Sequence, residues 1–172
     1  EPKGTPRSQP AATQGDYATS NVQTSPFGSS AQTAPLDERP RIRVLLVDDH
    51  ALVRNGLSSV LRYHTDLQVV GEAADGEEAV ALAAALKPDV ILMDVNMPRM
   101  DGVEASRRIK RDLPSTVVIG LSMHGGEHHE HAMRESGAAA YLTKDSAAER
   151  LIETILRCRA ASLTGTSASF ME

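Results

Sequence analysis

A chain of 172 residues with 41% apolar content and a net charge of −5 is long enough for one domain with a substantial core and short for two. The negative balance argues against nucleic-acid binding by this chain, which needs clustered Lys and Arg facing phosphates, and the single Cys158 excludes an internal disulfide framework and fits a reducing compartment. No apolar run approaches the ~20 residues that span a bilayer and the residues from Glu1 do not form a signal peptide, so a cytoplasmic location without membrane contact is expected.

Residues 1–40 hold six of the nine prolines among Gly, Ser, Thr and Gln, which is the composition of a disordered linker or tail. From Arg41 the character changes. Ile42 to Val47 is a β-rich apolar run that ends in Asp48, Asp49 and His50. A helix is predicted from His50 to Arg62, with Leu52, Val53, Leu57, Val60 and Leu61 at helical spacing and Gly56 as a weak point. Leu67 to Val70 reads as a second short strand, GEAADG as a turn-rich segment, and Glu77 to Leu86 as an Ala-rich helix closed by Lys87 and Pro88.

The next stretch, PDVILMDVNMPRMDG, is a continuous apolar run over Val90 to Met93 that stops at Asp94. Such a run suits a strand buried on both faces. A third helix follows from Val103 to Leu113, then a strand from Thr116 to Leu121 with Ser122 at its end. A fourth helix, Glu127 to Ser136, is capped by Gly137. The last strand, Ala138 to Leu142, carries Thr143 and Lys144 at its tip, and the last helix runs from Ala147 to Arg159 on an apolar stripe of Leu151, Ile152, Ile155 and Leu156.

Five strands alternating with five helices predict an α/β fold with a doubly wound parallel sheet. Right-handed crossovers bring the carboxyl ends of parallel strands to one edge, which gathers Asp48, Asp49, Asp94, Ser122 and Lys144 around one pocket. Three neighbouring carboxylates repel unless a cation joins them, and oxygen donors without Cys favour Mg2+ as the cofactor. With charge neutralised, Asp94 could attack phosphorus and form an acyl phosphate, Lys144 could pair with one phosphoryl oxygen, and Ser122 could hydrogen-bond another.

VLLVDDH, ILMDVNMPRMDG, VIGLS and AAYLTKD, in this order and spacing, resemble the receiver domain of two-component response regulators over residues 41 to about 159. The resemblance implies the flavodoxin-like receiver fold, with 1–40 as linker, 41–159 as receiver and 160–172 as a C-terminal tail. It implies Asp94 as phosphoacceptor, with Ser122 and Lys144 as its catalytic partners. Mg2+ would be held by Asp48, Asp49, Asp94 and the backbone carbonyl of Asn96, Asp49 ahead of Asp48 as direct ligand. Ser122 matches the switch hydroxyl and Tyr141 the aromatic switch, so phosphorylation would remodel the surface of the fourth helix, fifth strand and fifth helix. The implied partner is a histidine kinase or a His-containing phosphotransfer domain, with a homodimer left open. Beyond self-phosphotransfer and autodephosphorylation, no multiple-turnover activity is implied.

Two positions depart from the commonest receiver pattern. Asp145 rather than Pro follows Lys144, which leaves the usual cis peptide without its proline. Met123 replaces a small residue after Ser122, and with His124 it is expected to shield an acyl phosphate from water. The motifs are similar to NarL/FixJ-type receivers, which precede DNA-binding domains, and their phrasing after a Pro-rich linker is also similar to C-terminal receivers of hybrid sensor histidine kinases. The hybrid origin is the expectation, with a truncated transcription regulator and a stand-alone receiver as competitors. Two other classes stand beside these: a haloacid dehalogenase-type phosphatase, which needs a second Asp where Asn96 stands, and a phosphorylation-independent interaction module. His124, His128, His129 and His131 invite a metal reading at helical spacing, against which a solvated helix start is favoured.

Overall fold

The computed structural model describes residues 40–123 and 126–165. The linker expected before Pro40, the end of the tail beyond Gly165 and His124 lie outside the described residues. Within them the order is β1 (Ile42–Val47), α1 (Ala51–Arg62), β2 (Leu67–Ala73), α2 (Gly76–Leu86), β3 (Val90–Asp94), α3 (Gly102–Asp112), β4 (Val117–Ser122), α4 (Glu127–Glu135), β5 (Ala140–Thr143) and α5 (Lys144–Leu163). All pairings are parallel and the sheet order is β2-β1-β3-β4-β5. This is the doubly wound, flavodoxin-like arrangement expected from the alternation of elements.

Strand side chains alternate between two cores because successive residues point to opposite faces. Leu45, Val47, Ile91 and Met93 pack with Ala79, Ala83, Ala105, Ile109 and Met133 from α2, α3 and α4. Val44, Leu46, Leu92 and Ile119 pack with Leu61, Leu151, Ile155 and Cys158 from α1 and α5. Burial on both faces explains why the central strands read as unbroken apolar runs.

Three boundaries differ from the sequence reading by more than two residues, the others by one or two. β2 continues through Gly71, Glu72 and Ala73, which pair with Leu45, Leu46 and Val47 beyond a register shift in the β1 pairing. A local reading sees a turn in GEAADG because Gly and Asp are turn residues, whereas pairing with β1 keeps the backbone extended. α5 starts at Lys144, since the Thr143 side chain accepts from the Ser146 N–H as an N-cap, and it runs four residues past Arg159 to Leu163. The predicted cap of α4 is present as a Schellman motif: Gly137, at φ +89, donates to the Arg134 carbonyl and Ala138 to that of Met133.

Ser58 faces the core from α1 at 5% exposure, and its hydroxyl has no hydrogen-bond partner among the described residues. Ser58→Ala is expected to stabilise the fold by about 1 kcal/mol, through removal of an unsatisfied hydroxyl and gain of helix propensity. A urea midpoint that rises at unchanged slope would show it, and a midpoint that falls would contradict it.

Candidate functional site

Each residue of the pocket is delivered by a strand end. Asp48 directly follows β1 and donates its N–H to the Ala73 carbonyl at 3.1 Å, Asp94 is the last residue of β3 opposite Leu121, and Ser122 is the last of β4 opposite Thr143. Lys144 begins α5 directly after β5. The sheet therefore brings together Asp48, Asp49, Asp94, Ser122 and Lys144 at one edge, as the crossover rule predicts.

Asp48 and Asp94 are buried, at 1% and 3% exposure, whereas the Asp49 side chain is 29% exposed. The Lys144 ammonium lies 2.6 Å from Asp48 Oδ2 and 3.1 Å from Asp94 Oδ1. Two buried carboxylates thus share one ammonium. Burial and then the Asp48 charge push the Asp94 carboxyl above its ordinary value, against the pull of Lys144 and the Asn96 N–H. For Lys144, burial acts to lower the pKa, but the two carboxylates outweigh it and the net shift is upward. The ammonium stays charged, and the pocket remains short of positive charge.

A divalent cation fits this donor set. Asp48, Asp49, His50 and Asp94 each offer a ligand atom, and these atoms lie within 4.8 Å of one another. Carboxylate oxygens in excess of the one ammonium suit a hard ion such as Mg2+. Asn96 is exposed next to the pocket, with its N–H hydrogen-bonded to Asp94. Tyr141 is buried at 6% exposure and Ser122 at 1%, while Met123 is 52% exposed.

Of the α4 histidines, His129 is half-buried. His128 and His131 are exposed, His131 Nε2 lies 3.4 Å from Glu135, and none of the described histidines of α4 joins a metal-competent group.

Several residues that shape the pocket were not singled out by the sequence. Arg54 of α1 donates to the Asp48 carbonyl at 2.6 Å and pairs with Glu72 at 3.3 Å, which braces the β1 end. The loop after Asp94 is folded back by the Gly102 N–H to the Val95 carbonyl at 2.9 Å, and Arg99, at φ +67, pairs with the buried Asp75 that caps α2. Gly102 sits so close to the Asp94 carbonyl that a Cβ there would collide with it. Asp101-Gly102 is a turn-favouring pair, but a close approach between backbones has no local signal in sequence.

The profile of the family described as the response regulator receiver domain matches residues 44–156. The transcriptional regulatory protein LiaR of Bacillus subtilis is 46% identical over 114 residues, which are 66% of this chain and 54% of LiaR. The chain thus spans about half the length of the curated relatives it matches. Among solved structures, the response regulator domain of Thermotoga maritima CheB is 37% identical at a TM-score of 0.66, covering 70% of this chain and 97% of that one. The signal receiver domain of NarL from Mycobacterium tuberculosis is 36% identical at a TM-score of 0.67, covering 71% and 98%.

Proposed function

The chain belongs to the response regulator receiver domain family, and on that premise we propose that Asp94 accepts a phosphoryl group from a phosphohistidine of a histidine kinase or a His-containing phosphotransfer domain. The observation that carries this reading is the Lys144 ammonium, 2.6 Å from Asp48 and 3.1 Å from Asp94 across the strand ends. An Asp94 carboxylate oxygen attacks phosphorus, the P–N bond of the donor breaks, and the imidazole leaves as an acyl phosphate forms. Asp48, Asp49, Asp94 and the Asn96 carbonyl would hold Mg2+, which when bound neutralises charge on the phosphoryl oxygens. Lys144 holds one phosphoryl oxygen by charge and the Ser122 hydroxyl another. Ser122 and Tyr141 then report the new charge to the surface of α4, β5 and α5.

The receiver is read as residues 41–159 with its last helix prolonged, acting in the cytoplasm. The name of LiaR, a transcriptional regulatory protein, supports an origin among transcription regulators over the hybrid-kinase origin expected from phrasing alone. DNA binding would then belong to the parent protein, and a homodimer is compatible with the same surface.

Incubation with a small acyl phosphate such as acetyl phosphate and Mg2+ is expected to incorporate one phosphoryl group per chain, and Asp94→Asn is expected to reduce this at least about a hundredfold. Unchanged incorporation in that variant, or multiple turnover of a phosphate ester, would overturn the assignment. The exposed Met123 beside the site is proposed to slow hydrolysis of the acyl phosphate. Met123→Ala should shorten the lifetime of phospho-Asp94 by about threefold, equivalent to roughly 0.6 kcal/mol in barrier, and an equal lifetime would end that idea.

A further inference from the structure

His50 stands at the N-cap of α1, where Ser, Thr, Asp or Asn is favoured, yet its side chain makes no capping hydrogen bond. Its backbone is held instead, since its N–H donates to Asp48 Oδ1 at 2.8 Å. The imidazole then turns toward the acids, with Nδ1 2.7 Å from Asp49 Oδ1 and 3.4 Å from Asp48 Oδ1. Adjacent donors around an octahedral ion with bonds of 2.0–2.1 Å are separated by about 2.9 Å, and the two separations bracket that edge. The imidazole also stands within 4.8 Å of a ligand atom from each of Asp48, Asp49 and Asp94, so it belongs to the same donor set as the carboxylates.

We propose that His50 is a nitrogen ligand of this pocket and gives it a preference for Mn2+ over Mg2+ that carboxylates alone would not confer. Mg2+ selects oxygen donors and holds its waters, whereas first-row transition ions accept imidazole readily. The competing account is a plain ion pair between Asp49 and an imidazole that is 65% exposed. Such a pair would contribute little and would show no metal selectivity.

The inference rests on the reading of the pocket as a divalent-cation site, and the test separates the two. Mg2+ and Mn2+ affinities would be measured by calorimetry on the whole chain for wild type, His50→Ala and Asp49→Ala, with pulsed electron paramagnetic resonance of the Mn2+ forms. Wild type should show nitrogen coupling to Mn2+ and His50→Ala should lose it. Mn2+ affinity should fall about tenfold in His50→Ala while Mg2+ affinity stays within about twofold. His131→Ala should keep the coupling. Absence of nitrogen coupling in wild type, its survival in His50→Ala, or an equal change for both ions would overturn the role of His50 while leaving the cation site standing. If neither ion binds wild type, or Asp49→Ala leaves both affinities intact, the cation site fails and this role fails with it.

Discussion

Gly102→Ala is expected to destabilise the protein by about 3 kcal/mol, the upper range for overpacking a site that cannot yield. The obstacle is the Asp94 backbone carbonyl rather than a flexible side chain. Relief requires either the end of β3 or the start of α3 to move, and the hydrogen bond from the Gly102 N–H to the Val95 carbonyl stretches with it. Since the displaced carbonyl belongs to Asp94, Mg2+ affinity should weaken together with the urea midpoint. Gly56→Ala provides the contrast. Gly56 lies mid-helix on the exposed side of α1 with nothing within 4 Å of an added Cβ, so alanine there should stabilise by roughly 0.8–1 kcal/mol. Equal effects of the two substitutions would refute the backbone-contact explanation.

Removal of divalent ions is expected to make Asp94→Asn more stable than wild type at neutral pH. The folded pKa of Asp94 is raised above the ordinary 3.8, first by burial and then by Asp48. The folded chain therefore holds this proton more tightly than the unfolded chain does, and stability falls as pH rises from the ordinary carboxylate value through the raised one. Asn has no proton to lose and lacks this slope, so in chelator the two stability curves should converge toward acid and separate toward neutrality. Divalent ion reverses the order. At a concentration a hundredfold above its dissociation constant, Mg2+ should add about 2.7 kcal/mol to wild type and less to Asp94→Asn, which lacks one carboxylate. Thermal melts from pH 4 to 8, with chelator and with Mg2+, would read both effects. Parallel curves in chelator would show that burial and the Asp48 charge together put no energetic weight on ionising Asp94.

Much of the candidate site was legible because parallel strands impose it. An apolar run ending in Asp94, another ending in Asp48 and Asp49, and Ser122 and Lys144 after the last two strands need only the crossover rule to meet at one edge. Asp48 and Asp49 were not separable that way. Both follow β1, and only the packed structure shows the first buried against Lys144 and the second partly open beside His50. His50 was part of a quoted motif, but the turn of its imidazole toward Asp49 depends on the Asp48 oxygen that holds its backbone N–H. The pair formed by Arg99 and Asp75 joins two loops 24 positions apart, and no spacing pattern announces it.

The sequence by itself determined the alternation of strands and helices, the two-sided burial of the sheet and the identities of the acids, hydroxyl and amine at its carboxyl edge, because these follow from hydrophobic periodicity and chain handedness. Tertiary structure alone decided the length of β2, the start of α5 at Lys144, the closeness of Gly102 to Asp94 and the share-out of charge among Asp48, Asp49, His50, Asp94 and Lys144. Those depend on distances between segments far apart in the chain, where pairing and packing outweigh local propensity and where a few tenths of an ångström separate a contact from a collision.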